Sequence, residues 1–173
     1  MIESQRWFER RFTLGLPPGM YPNIVERLRG TPARLEDRTL KLPPEMLTRR
    51  DAERWSIQEH AGHLLDLEAL EMMRLADYEA RRTVLTPADV ENRKTHEAEH
   101  NSKSIDELLA AFRQERMEFV ARLEGFDEEF IKRSALHPRL NQPMSVIDLA
   151  FFKAEHDDHH LARISELIRL FAR

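Results

Sequence analysis

Cysteine is absent from the 173 residues, which removes disulfides, thiolate-ligated zinc and a cysteine nucleophile together. Any thiol taking part in this protein's chemistry must therefore arrive as a small molecule. Long apolar runs are missing too. No stretch of about 18 residues is apolar enough to span a bilayer, and the arginine-rich N-terminus lacks the apolar segment of a secretory signal. These absences predict a cytoplasmic protein with no membrane partner. Neither sign of charge dominates, since 27 Lys and Arg face 31 Asp and Glu for a formal charge of −4, with no basic block. Non-specific nucleic-acid binding needs a phosphate-neutralising surface, so no nucleic-acid partner is expected. Glycine is scarce at five residues, while 41% of the chain is hydrophobic and 34% charged. That composition suits amphipathic helices with charged outer faces, and the length suits one domain with a sizeable core.

Residues 1–20 predict an N-terminal arm. Trp7, Phe8, Phe12, Leu14 and Leu16 can pack, but Gly15-Leu-Pro-Pro-Gly19 breaks any regular element. Residues 21–173 read as one bundle domain. A helical spacing runs from Tyr21 to Leu42 (Ile24, Leu28, Leu35, Leu42), interrupted at Gly30-Thr31-Pro32, where a kink or a new first turn is expected because Pro32 removes a backbone bond, and Pro43-Pro44 ends it. Ser56 with Glu59 three residues on forms a capping-box pattern that opens a second helix to about Arg82. Ile57, Ala61, Leu64, Leu65, Met72 and Leu75 make one stripe of it, and His60, His63, Leu67 and Leu70 an adjoining one. Periodicity does not choose between His60 and His63. Thr86 followed by Pro87 suggests a short polar helix, and Asn92 to Lys103 reads as too polar for core. Ser104 with Glu107 opens a third helix, stopped by Gly125; His137 to Pro143 reads as a loop; and Ser145 caps the last helix, to Phe171. Four amphipathic helices without a strand signal predict an all-α four-helix bundle, whose long connection between helices 2 and 3 leaves room for a crossover.

The last helix carries the most pointed signal. At ~100° per residue, Leu149, Phe152, Ile164, Leu167 and Phe171 define an apolar line, and His156 and His160 lie on it at about −20° and +20° from Leu149. Two imidazoles one turn apart on a buried line can converge on one ion. A pair of core histidines satisfied by buried carboxylates or carbonyls is the competing reading. His159, about 80° away, looks elsewhere. A second motif, His96-Glu-Ala-Glu-His100, matches the zinc-protease pattern literally, but its neighbours Asn92-Arg-Lys-Thr and Asn101-Ser-Lys-Ser are polar. A solvated connector is expected there.

Trp55-Ser-Ile-Gln-Glu59 followed by His63-Leu-Leu-Asp66, set against Glu155-His-Asp-Asp-His-His160-Leu-Ala-Arg-Ile164, resembles the DinB-like superfamily of metal-binding four-helix bundles. That superfamily includes the YfiT-like proteins and the mycothiol- and bacillithiol-dependent enzymes, and the likeness covers helices 2 to 4 and, more weakly, helix 1. The resemblance implies one histidine from helix 2, eight residues after the tryptophan, and an H-x-x-x-H pair on the last helix. Carried over, the metal ligands are His63, His156 and His160, and not His60, His96, His100, His137 or His159. It further implies a divalent ion, zinc or nickel, and a homodimer. The iron-dependent sulfoxide synthases of the family use H-x-x-x-H-x-E, and Ala162 here stands in the place of that glutamate. Three neutral imidazoles leave positions open on an ion, which can polarise an electrophile, lower the pKa of water to about 7 or hold a thiolate. The expected function is a metal-dependent enzyme that activates a low-molecular-weight thiol against an electrophilic substrate, or activates water as a hydrolase. The alternative is a non-catalytic metal-binding or structural bundle. Glu59, Asp66, Glu155, Asp157 and Asp158 are the nearby carboxylates, expected on solvated faces or in support of an imidazole N–H.

Overall fold

Residues 5–172 are described by the computed structural model, so the first four residues of the expected arm lie outside it, as does Arg173. The rest of the arm is extended apart from 3-10 turns at Trp7–Glu9 and Pro18–Met20. The bundle satisfies its backbone: the Gly15 and Leu16 N–H groups donate to Asp148 Oδ1 at 2.9 and 3.0 Å. Gly15 takes φ of 86° to make that approach, a conformation glycine adopts without steric cost.

The expected first helix is two helices, α1 (Tyr21–Arg29) and α2 (Thr31–Thr39), broken at Gly30 where Pro32 occupies the opening turn of α2. Pro43 and Pro44 do more than terminate it. Pro44 opens a short further helix, α3 (Pro44–Thr48), because a proline at the first helical position lacks only an N–H that would be unpaired anyway. The Ser56–Glu59 capping box forms and starts α4 (Ile57–Asp66), and a break at Leu67 separates it from α5 (Glu68–Glu79). No helix starts at Thr86, whose N–H and hydroxyl both donate to Asp77 Oδ2, at 2.6 and 2.8 Å, so the residue is committed to the end of α5. The short helix comes later, as α6 (Arg93–Glu97). Next are α7 (Ile105–Glu124), ended by Gly125 as expected, and one turn, α8 (Glu128–Ile131).

The stretch read as a loop, His137 to Pro143, is the turn of a small antiparallel hairpin whose strands are β1 (Ser134–His137) and β2 (Gln142–Ser145), with Ala135 opposite Met144. Both of those side chains are buried, so the pairing is fixed by packing rather than by a run of strand-forming residues. The Ser145–Asp148 capping box then begins α9 (Val146–Phe171). Asp148 thus holds the start of α9 through Oδ2 and the arm through Oδ1.

Hydrogen bonds between elements fix the direction of each helix. Ser56 Oγ donates to Asn101 Oδ1 at 2.7 Å and Gln58 Nε2 to the Lys103 carbonyl at 2.7 Å, so α4 and α7 begin at the same end. Tyr78 Oη reaches the Met144 carbonyl at 2.8 Å, placing the start of α9 at the far end of α5. Arg27 pairs with Glu155 at 2.6 Å and Arg38 with Ser165 at 2.7 Å, so α1 and α2 run with α9. The result is a four-helix bundle of up-down-down-up order, with residues 80–104 crossing back along its length.

The apolar core comes in two parts. One gathers Leu28, Leu75, Phe119 and Leu149, the other Leu35, Leu64, Phe112 and Ile164. Between them each bundle helix contributes a polar residue. Arg116 donates to Glu68 at 2.7 Å and to Asp157 at 2.5 Å, Thr31 Oγ1 donates to Asp157 at 2.9 Å, and Lys153 stands 3.0 Å from Glu68. The four ionised side chains of this layer are almost wholly buried. Against the upward push of burial, Arg116 and Lys153 hold the Glu68 carboxyl below its ordinary range.

Candidate metal centre

His63 projects from the second turn of α4, and His156 and His160 from the middle of α9, just beyond the polar layer. All three rings are buried, and one nitrogen from each lies within 4.8 Å of the other two. The Nε2 atoms of His156 and His160 are 3.1 Å apart. Two nitrogens each about 2.0–2.1 Å from a common ion would stand roughly 2.9–3.4 Å apart at bond angles of ~90–110°, so that pair has ligand spacing.

The hydrogen bonds behind the rings set which nitrogen faces inward. Thr95 Oγ1 donates its single proton to Asp66 Oδ2 at 2.9 Å, so the His63 Nδ1 that meets it at 3.0 Å must be the donor. The neutral His63 ring therefore keeps its lone pair on Nε2, the form that binds metal. His160 Nδ1 lies 2.8 Å from His60 Nδ1, which leaves His160 Nε2 turned toward His156. Trp55 packs 4.7 Å from His63, and Trp7 of the arm 4.9 Å from His156, so an indole lies against each wall. The donor set fits a borderline divalent ion such as zinc or nickel: three imidazoles, supporting hydrogen bonds behind two of them, and no carboxylate among the three.

Charge on these rings is suppressed. Burial, with Lys153 nearby, lowers His63 to about 3, and burial with Arg163 does the same for His60. Burial and their histidine neighbours push His156 and His160 well below the ordinary value. Neutral ligands at pH 7 need no deprotonation before binding an ion. The same shifts act on stability. Between about 3 and 6.5 the unfolded chain binds protons that the folded chain refuses, so stability falls as pH falls through 6.5. Urea unfolding of metal-stripped protein should show a steep loss from pH 7 to pH 5, at most about 2 kcal/mol for each of the four histidines. A midpoint that does not move over that interval would contradict their neutral burial.

The protease-like motif does not form a site. Helix α6 ends at Glu97 and Glu99 is left-handed at φ of 48°, so His96 and His100 do not share a helix face. The connector is not simply solvated, however. Although His96 is exposed, Thr95 and His100 are buried, and His100 Nε2 meets Asp66 Oδ2 at 2.8 Å, completing a chain from His63 through Thr95 and Asp66. Gly62 makes this possible, because a Cβ there would collide with the His100 ring. The other carboxylates serve elsewhere. Glu59 caps α4 and pairs with Arg50, Glu155 pairs with Arg10 and Arg27, Asp157 belongs to the polar layer, and Asp158 binds Arg27 and Arg34. His159, half-buried, sits 5.8 Å from Trp7, off the triad. His137 lies at the hairpin.

Two cavities meet at the triad. One, of about 280 Å³, is framed by α5, the crossover, the hairpin and α9, and reaches His63 and His156. The other, of about 350 Å³, reaches all three histidines and is lined by Arg54, Arg163, His60 and His159 with no carboxylate among its described lining residues. Among the described residues, no helix is long and apolar enough to cross a membrane.

A family model described as the DinB superfamily matches residues 27–164. Among solved structures, the chain is similar to YfiT from Bacillus subtilis, described as a probable metal-dependent hydrolase with an unusual four-helix bundle topology. The TM-score is 0.84 at 19% identity, covering 95% of this chain and 94% of that one. It is also similar to the mycothiol-dependent maleylpyruvate isomerase, with a TM-score of 0.67 at 10% identity over 87% of this chain and 62% of that longer one. A third likeness is to the colibactin self-resistance protein ClbS, solved in complex with double-stranded DNA, with a TM-score of 0.68 at 12% identity over 86% and 95% of the two chains. No curated protein sequence matches significantly.

Proposed function

The chain belongs to the DinB superfamily, and from that premise we propose that it is a metal-dependent enzyme whose ligands are His63, His156 and His160, activating a small thiol for attack on an electrophile. The observation that carries this reading is the meeting of two separate cavities at the three imidazoles. A structural ion would be closed off by a fourth protein ligand, whereas these rings face open space on two sides. A bound zinc or nickel ion supplies Lewis acidity and stabilises an anionic nucleophile at neutral pH.

The chain's own residues do the rest. Thr95 and Asp66 fix the His63 ring and His60 fixes that of His160, which holds the donor set in place before any ion arrives. The larger cavity presents Arg54 and Arg163, each ion-paired with a carboxylate outside the lining, Asp51 and Glu166, and has no lining carboxylate of its own to repel an anionic nucleophile. The smaller one leaves room for the electrophile. Trp7 packs on His156 and Trp55 on His63, which gives the site two aromatic walls.

Likeness to YfiT favours a second reading, in which water replaces the thiol. One assay separates the two. Zinc- or nickel-loaded protein is offered an aryl halide with N-acetylcysteine, and separately an activated ester without thiol. Conjugation that requires added thiol and disappears on chelation and in His160→Ala supports the transferase. Chelator-sensitive ester cleavage without thiol would replace it with the hydrolase, and turnover indifferent to chelation would overturn both.

A further inference from the structure

Six buried side-chain nitrogen or oxygen atoms have no hydrogen-bond partner among the described residues: Glu71 Oε2, His100 Nδ1, His137 Nε2, Arg139 Nη2, Lys153 Nζ and His156 Nδ1. Five of the six belong to residues lining the 280 Å³ cavity. Native proteins leave few such atoms, so their concentration around one space marks a ligand that would complete them. Lys153 is ion-paired to Glu68 and His156 belongs to the triad, which leaves Glu71, His137 and Arg139 as the cavity's own recognition groups.

Each has a definite role. The Leu140 N–H donates to His137 Nδ1 at 3.2 Å, so the neutral ring carries its hydrogen on Nε2, the unpartnered atom. Arg139 is held by aromatic faces, its guanidinium carbon 5.2 Å from Phe8 and 5.5 Å from Phe152, with Nη2 left over as a second donor. Glu71 pairs through Oε1 with Arg74 at 3.3 Å, leaving Oε2 as an acceptor. Glu71 pairs with Arg74, the Asp89 carboxylate at the rim accepts from the backbone N–H groups of Glu91 and Arg93, and Arg139 makes no ion pair among the described residues. Two donors, one of them on a cation without an ion pair, suit a carboxylate, and the unpartnered acceptor suits an O–H or N–H close to it.

We infer that this cavity takes a small monoanionic organic acid, whose carboxylate is held by Arg139 and His137 and whose neighbouring hydroxyl or amide N–H donates to Glu71. The remainder of the molecule points to His63 and His156, which line the same space. The inference names the electrophile's chemical class for the function proposed above and rests on that reading only for the catalytic outcome.

Calorimetric titration with 2-hydroxyhexanoate, hexanoate and 1-hexanol tests it, on zinc-loaded and on metal-stripped protein. Affinity should fall in that order, with about a tenfold step or more between acid and alcohol, as a charge-assisted pair provides. Arg139→Met should erase the preference of both acids over hexanol while zinc content and circular dichroism stay unchanged; Arg139→Lys should retain part of it. His160→Ala, at a triad residue that does not line this cavity, should lower zinc content and leave the acid preference in place, so a failed metal centre and a failed acid site are distinguishable. Equal affinity for the three probes in the native protein, no binding of any, or an acid preference that survives Arg139→Met in a folded variant would each overturn the assignment.

Discussion

A His156→Ala variant is expected to lose roughly two to three orders of magnitude in zinc affinity. Apparent zinc binding energies of about 10–16 kcal/mol shared over four ligands give roughly 2.5–4 kcal/mol for each, and every 1.4 kcal/mol is about tenfold. His63→Ala and His160→Ala should behave alike, because the three rings form one donor set. Residues behind the rings should matter less but measurably. Thr95→Val or His100→Ala interrupts the chain that orients His63 and should cost about 10- to 100-fold, as outer-shell partners of metal-bound histidines do. His96→Ala, at an exposed position of the same connector, should leave affinity unchanged. Competition titration against a chromophoric chelator measures all of these, and full zinc occupancy in His156→Ala would remove the triad.

The largest effect on stability should come from the polar layer. Arg116→Met leaves Glu68 and Asp157 facing one lysine inside the bundle, and breaking a buried pair from one side costs about 3–5 kcal/mol. Neutralising one partner as well, in a variant that also carries Asp157→Asn, should recover part of the loss, because Lys153 and Glu68 then remain as a balanced pair. Urea midpoints within error of the native protein for Arg116→Met alone would show that the layer is energetically neutral.

These two features differ in how far the sequence discloses them. His156 and His160 stand on an apolar line that any helical period reveals. Arg116 stands on one too, four residues after Phe112 and three before Phe119, so the signal was present but carried by a charge, which on a helix ordinarily means solvent. Choosing between His60 and His63 lay beyond periodicity for a physical reason. Every residue from Ile57 to Leu64 is buried, since α4 is covered by α7, α9, α6 and the turn bearing His100, and a helix buried all round has no unique inner face. Family likeness pointed to His63, and the bundle places it with the α9 pair while His60 backs His160. The burial of Thr95 and His100 depends on a vacancy over Gly62, a steric fact with no periodic trace. The hairpin leaves little trace in the sequence because its buried residues, Ala135, His137 and Met144, include no run of strand-forming side chains.

The up-down-down-up order also governs when the histidines can meet during synthesis. Helix α9 packs on α1 and α4 and brings both His156 and His160 to a partner that was made almost a hundred residues earlier. A nascent chain that has displayed α1 through α7 holds Arg116 and Glu68 without Asp157 and Lys153, and His63 without its companions. Its polar layer is then incomplete, and such contacts of high sequence separation form late. Commitment to the native bundle and the ability to capture an ion therefore arrive together, once α9 has left the ribosome.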